Sequence, residues 1–462
     1  MQYLSRMLRL LRAVVKTLQL ALPKIGIGWM FALLTIDFNR IAIVELGVAA
    51  ILITAMLGLH YFLSPFQVVA GRLADRHPLF GLRRTPYLLL SSMVAGLLFM
   101  ALPPLAHAMG AGSTAAVGGG FLLFILFGIA IAFHGDSHHA LIAEVTEPRA
   151  RGAVISVVQI VLILSTIVAA VVMNIVRPEY SPEAMQRLYN LTPFIVILSA
   201  LIGVLGMEKR LTGDALRVAQ AQARAAAPEG NPLRVAAQTL RANPQARGFF
   251  VFLFVAMLAI FLQDNILEVF GAEVFGMSVE ETTRFQPTWG GGVLIGMLVM
   301  GALSVALPIR KKTIALIGCG GTVLGMLALA SAALLQQRGL VFPTLFCMGI
   351  FTGFFNVGAL AMMMDMTIEG ATGLYMGLWG MGQSFGTGLA SFGSGALHTG
   401  LIESGLLSPS AAYFGIFAFE GLVMAVAGLI LYRISVAHFH DLHETTLTRR
   451  DLAQALEAGA VA

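Results

Sequence analysis

The chain has 462 residues, of which 58% are hydrophobic and only 11% charged, and its mean hydropathy is +0.84. Soluble domains carry roughly 25% charged residues, so this composition excludes a soluble enzyme of this size and points to a polytopic helical membrane protein. The net charge of +5 follows from where lysine and arginine sit around the apolar runs and requires no nucleic-acid partner.

Residues 4–22 place Leu4, Leu8, Leu11, Val15, Leu18 and Leu22 at three- and four-residue steps, with Arg6, Arg9, Lys16 and Gln19 largely elsewhere on the helix surface. This pattern predicts a basic amphipathic helix at the cytoplasmic membrane surface, although a helix that docks a partner carries the same stripe. Apolar runs long enough to cross hydrocarbon, at ~20 residues each, follow near 26–45, 49–71, 85–106, 117–140, 152–176, 190–207, 248–270, 288–309, 313–336, 341–365, 371–398 and 411–432, twelve in all. Residues 208–247, rich in Ala, Arg, Gln and Pro, separate them into two sets of six. The expected organisation is an amphipathic segment (1–25), an N-terminal six-helix bundle (26–207), a cytoplasmic linker (208–247), a C-terminal six-helix bundle (248–432) and a cytoplasmic tail (433–462). Of the 29 lysines and arginines, 24 fall at the termini, in the linker and in the 2/3, 4/5 and 8/9 loops, which predicts that both termini are cytoplasmic. Cys319 and Cys347 both lie in apolar runs, so no disulfide framework is implied, and no cleavable signal segment is read at the start.

Between spans 2 and 3 stands Gly71-Arg72-Leu73-Ala74-Asp75-Arg76, followed by Gly81-Leu82-Arg83-Arg84. Glycine permits close helix approach, Asp75 is placed to pair with an arginine or a helix N-terminus, and the basic residues face anionic lipid. The stretch resembles the signature loop of the major facilitator superfamily, in which it would act as a conformational elbow through Gly71, Asp75, Arg76, Gly81, Arg83 and Arg84. The halves of that fold are repeats around a midplane site, and an internal echo agrees: Glu144-Val145-Thr146 with Gly152 recurs as Asp365-Met366-Thr367 with Gly373. A weaker echo of the elbow, Gly301-Ala302-Leu303 ahead of Arg310-Lys311-Lys312, has Val305 where the acid should stand, so the second elbow is expected to lack a charge lock. Span 11 carries small residues at Gly373, Gly377, Gly380, Ser384, Gly388, Ser391 and Gly395, a surface for helix packing or for a planar ring.

Ionisable groups inside hydrocarbon are costly and mark function. Span 1 holds Asp37, Asn39 and Arg40 and ends at Glu45; span 7 holds Gln263, Asp264, Asn265 and Glu268; span 2 adds His60; span 4 carries His134, Asp136, His138 and His139. Three chemistries compete for them. A proton-coupled transporter of a small organic solute uses Asp37, Asp264 or Glu268 as relay and Arg40 as an anion anchor. A metal site uses His134 and His138, one helical turn apart. A magnesium tetrapyrrole needs one axial donor and a wide apolar slot.

Asn39-Arg40-Ile41-Ala42-Ile43-Val44-Glu45-Leu46-Gly47-Val48, together with Gln263-Asp264-Asn265-Ile266-Leu267-Glu268 and Gly271-Ala272-Glu273-Val274-Phe275-Gly276-Met277, resembles the two hallmark segments of the bacteriochlorophyll-delivery (PucC/LhaA-like) branch of that superfamily. The resemblance implies an all-α integral membrane protein of twelve helices in two pseudo-repeated bundles. It further implies a non-enzymatic assembly factor in the photosynthetic inner membrane that binds or delivers (bacterio)chlorophyll to light-harvesting antenna apoproteins. Carotenoid and lipid are further candidate ligands, and the reaction-centre core a further partner. Asn39, Arg40, Glu45, Gln263, Asp264 and Glu268 carry over as pattern positions. No free metal ion is expected; the pigment's Mg would be held by His60, His134, His138, Asn39 or Gln263. A solute transporter and a purely structural partner of antenna helices remain the rivals.

Overall fold

The computed structural model describes residues 2–147, 151–177, 179–214, 216–217, 232–306, 309–367 and 372–442. Residue 215 and residues 218–231 of the linker and the end of the tail lie outside them. Within the described residues the chain is almost entirely helical, with no strand beyond one isolated bridge between Leu79 and Leu82.

The N-terminal part contains α1 (Gln2–Ala21), α2 (Pro23–Ala32), α3 (Ala50–Phe62), α4 (Phe66–Arg76), α5 (Thr85–Met100), α6 (Leu102–Gly110), α7 (Thr114–Val145), α8 (Arg151–Val176), α9 (Pro182–Asn190) and α10 (Thr192–Val204). After the linker come α11 (Pro232–Ala242), α12 (Pro244–Phe261), α13 (Leu267–Phe275), α14 (Val279–Thr283), α15 (Phe285–Ala306), α16 (Lys311–Leu334), α17 (Val341–Asp365), α18 (Thr372–His398) and α19 (Pro409–Arg433). Helix starts follow local chemistry. Ser181, Asn243 and Ser408 each accept a hydrogen bond from a first-turn N–H, and each is followed by a proline preset for the first helical position.

Helices lie at all twelve positions predicted to span, but nine segments among the described residues are long and apolar enough to cross a bilayer by length and composition. The others depart from that simple form. Predicted span 2 is broken into α3 and α4 at Leu63–Pro65, while α15 and α18 occupy the positions of spans 8 and 11. The chain is a multi-pass membrane protein.

Two further breaks fall beside the polar hallmark segments. After α2 the chain winds as π-helix over Leu33–Phe38 and Ile41–Glu45, and α12 unwinds over 262–266 before α13 resumes. Insertions of this kind occur within membranes where backbone lines a cavity or is buried in protein. One large apolar core joins residues from Ala246 to Phe439, and a second joins residues from Trp29 to Val196. Val269 of α13 belongs to the second core, so the C-terminal half inserts a side chain into the N-terminal one.

The elbow differs in detail from its expectation. Gly71 through Arg76 continue α4 as helix, and the turn lies at 77–84; the side chains of Arg72, Asp75 and Arg76 are outside the described residues. Phe80 and Gly81 both have positive φ (56° and 77°), and Leu79 and Leu82 exchange backbone hydrogen bonds of 3.0 and 2.9 Å across them. Gly81 is required twice over, since a Cβ there would also meet the Leu211 carbonyl oxygen at 2.4 Å. Arg83 and Arg84 pair with Glu144 at 3.1 and 3.0 Å. Glu208 accepts from the N–H groups of Arg83, Arg84 and Thr85 and so caps α5 from the end of the sixth predicted span. The second elbow does retain a charge lock: Lys311 pairs with Asp365 at 2.7 Å, the acid that echoes Glu144. The lock survives without an acid at Val305 because the partner comes from the end of α17, as Glu144 comes from the end of α7.

Candidate functional site

The polar residues singled out in the sequence separate into three places. The first is a cavity of about 250 Å³ enclosed by α2 and its π-helical extension, α3, the start of α4, α7, the unwound link after α12, and α18. Of the candidate residues, only His60 and Asp264 line it. The α3 break at Leu63–Pro65 brings His60, Ser64 and Gln67 to the same wall, and the unwound link brings Asp264 and Asn265 opposite them. His60 Nδ1 and Ser64 Oγ are buried with no hydrogen-bond partner. The His60 ring lies 3.9 Å from the Tyr61 ring and 5.5 Å from that of Phe127, centroid to centroid. Asp264 Oδ1 accepts a 2.6 Å hydrogen bond from the Gln286 amide.

The second place is a seam between the halves on the side of the cavity away from the chain termini. Asn39 donates from its amide to the Asn265 carbonyl. Arg40 donates to Glu45 at 2.6 Å within its own segment and to the Met277 carbonyl at 3.4 Å in the other half. The five-residue step from Arg40 to Glu45 suits the π-helix between them. Asp37 is the buried partner of Arg177, so it is not free to pair with Arg40. Glu403 accepts from the Ala50 N–H at 2.9 Å, placing a carboxylate at the positive end of α3. His398, 1% exposed, lies between Glu403 and Glu273, and Tyr413 donates to Glu273 at 2.9 Å. Asn39, Arg40 and Glu45 therefore hold the halves together instead of lining the cavity.

The third place is the interior of the N-terminal half. His134 Nδ1 donates to Ser92 Oγ at 3.0 Å, because the serine hydroxyl is committed to the Leu88 carbonyl, and His138 Nε2 donates to the Leu20 carbonyl at 2.7 Å. Neither lines the cavity, and among the described residues no group of three or more His, Cys, Asp or Glu side chains is arranged to hold a metal ion. Gln263 turns its amide toward the Met348 sulfur at 4.0 Å, and Glu268 is fully buried with neither oxygen hydrogen-bonded.

Several residues of these places were not legible in the sequence. Arg177 reads as an outer-loop arginine next to a proline, yet it is 2% exposed and completes an ion pair across 140 residues of chain. The His398 network draws on Glu273, Glu403 and Tyr413, which no short motif connects. Gln286 escaped notice because it stands at the start of an apolar run. Ser384 and Ser391 belonged to the small-residue stripe, and they do line the cavity. Two glycines of that stripe pack against α3: a Cβ at Gly395 would lie 1.8 Å from Thr54 Oγ1, and one at Gly388 would lie 3.0 Å from the Phe62 ring.

Two sets of helices meeting at a central cavity, with helices broken beside it, define a membrane protein of the major facilitator fold. A solved D-xylose-proton symporter superposes on 90% of this chain and 97% of its own with a TM-score of 0.67 at 14% identity, a likeness that shows the fold alone. The family model described as PUCC protein matches residues 37–439, and the chain belongs to that family. It is 31% identical to the "Bacteriochlorophyll synthase 44.5 kDa chain" of Rhodobacter capsulatus, over 89% of this chain and 93% of that one. It is also 26% identical to "Protein PucC" of the same organism, over 89% and 90%.

Proposed function

We propose that this protein is a non-enzymatic assembly factor for bacterial light-harvesting complexes. In this reading it engages (bacterio)chlorophyll in the photosynthetic inner membrane, with both termini cytoplasmic, and passes it to antenna apoproteins, the reaction-centre core being a further partner. Family membership supports the assembly role, and the printed name of the 31% identical relative, which associates that protein with bacteriochlorophyll, supports the pigment.

The observation that carries the reading onto this chain is His60. Of the five candidate donors His60, His134, His138, Asn39 and Gln263, it alone lines the cavity, with its ring beside those of Tyr61 and Phe127. A (bacterio)chlorophyll would supply a Mg that accepts a nitrogen donor. His60 would hold the pigment, Tyr61 and Phe127 would exclude water from the site, and the Ser64 hydroxyl would offer a hydrogen-bond donor. Sites that enclose a drug-sized ligand measure about 300–1,000 Å³, so a cavity of about 250 Å³ would hold only an edge of a macrocycle, and the rest of the pigment would lie outside it.

The test is complementation of a pigment-producing host lacking its own copy with wild type, His60→Leu and His134→Leu. The expected outcome is antenna absorption restored by wild type and His134→Leu and severalfold lower with His60→Leu at equal protein level. Equal restoration by both variants would contradict the assignment. The rival reading, a secondary transporter of a small organic solute, is favoured by Asp264, a carboxylate that the broken helix presents to the cavity. It predicts that Asp264→Asn abolishes uptake and leaves antenna assembly untouched.

A further inference from the structure

The cavity wall carries an acidic group that a neutral pigment does not call for. Asp264 is the one acidic side chain lining it, and no lysine or arginine does. The Gln286 amide donates to Asp264 at 2.6 Å and fixes the carboxyl group in the wall. Asp264 sits between the end of α12 at Phe261 and the start of α13 at Leu267, whose opposite dipole ends offset one another, so the charge of the wall is that of its own side chain. Phe31, Tyr61, Phe127 and Phe261 contribute four aromatic side chains. Aromatic faces attract cations, most strongly where water is excluded, and a carboxylate in a low-dielectric wall is felt more strongly than one in water.

From this combination we propose that the cavity is a binding site for a small organic cation, an amine or quaternary ammonium compound, with Asp264 as its counter-charge and the aromatic side chains as its cage. The hydroxyls of Ser384, Thr387 and Ser391 on α18 give acceptors and donors for the polar end of such a molecule. The same charge repels carboxylates and phosphates, so anionic solutes are rejected. At about 250 Å³ the space is below the range of drug-sized sites, which suits a compact cation. The cation and the pigment would compete for this one cavity, so cation binding is tested on pigment-free chain.

Isothermal titration of the full chain in mild detergent with choline chloride tests it, compared with 3,3-dimethylbutan-1-ol, which has the same shape without the charge, and with sodium acetate. The expected result is saturable choline binding, at least tenfold weaker binding of the neutral alcohol, and none of acetate. Asp264→Asn is expected to weaken choline at least tenfold, and Phe127→Leu severalfold. Choline and the alcohol binding alike, neither binding, or choline binding undiminished in Asp264→Asn would each overturn the proposal. The wild-type comparison between the two isosteres decides the matter even if the Asp264 variant does not fold. The absorption spectrum of the same preparation confirms that the titrated chain is free of pigment.

Discussion

The ion pair of Asp37 with Arg177 sets the stability of the N-terminal half at one point. Both side chains are 1% exposed, so removing one partner strands a charge in a medium that cannot solvate it, at a cost of about 3–5 kcal/mol. Asp37→Asn and Arg177→Met are each expected to lower the thermal unfolding temperature in detergent markedly, and the double replacement Asp37→Leu with Arg177→Met to recover much of the loss. Phe80 presents the opposite case. It holds a positive φ of 56° at the elbow tip while 79% exposed, where an L-residue other than glycine, asparagine or aspartate costs roughly 1–2 kcal/mol. Phe80→Asn is therefore expected to raise thermal stability by about 1 kcal/mol. A fall would show that the ring's contacts outweigh the backbone strain.

Among the elements, α18 and α3 form the tightest contact between the halves. Gly395→Leu would drive its Cβ into Thr54 and the Ala50 carbonyl, at 1.8 and 2.7 Å, and overpacking of this kind costs about 1–3 kcal/mol or more. Gly380→Ala on the same helix meets nothing within 4 Å and is expected to be neutral or slightly stabilising; thermal unfolding of the pair separates the two environments. At the start of α3, Glu403 closes the seam by accepting from the Ala50 N–H. In a Glu403→Ala background, Ala50→Cys is expected to react severalfold faster with a membrane-impermeant maleimide than in an otherwise wild-type chain. An unchanged rate would mean that the remaining contacts, among them the Ile51 N–H to Thr399 hydrogen bond and the packing of Gly395, keep the seam closed without Glu403.

For the whole molecule, the sequence revealed most where one element suffices to explain a pattern. Apolar length located the helices, and the Glu144 and Asp365 echo marked the internal repeat, but the ion pairs these acids make with Arg84 and Lys311 were not legible in it. It revealed least where the partner lies far along the chain or where a helix departs from regular winding. Nothing in the spacing of Asn39, Arg40 and Glu45 says that π-helix turns them into the seam, or that a break at Leu63–Pro65 leaves His60 on the cavity wall. His134 and His138 have metal-like spacing, yet Ser92 and the Leu20 carbonyl occupy one nitrogen of each ring. Side-chain partners of this kind are properties of packing, which a linear pattern does not encode.

The central claim is that this chain handles (bacterio)chlorophyll, and its most direct test is the absorption spectrum of the protein purified in mild detergent from a pigment-producing host, with extracted pigment quantified per chain. The account predicts near-stoichiometric pigment in the wild type, lowered severalfold by His60→Leu and unchanged by His138→Leu. A colourless, monodisperse wild-type protein would contradict it and leave the facilitator fold serving a solute or a purely structural partnership.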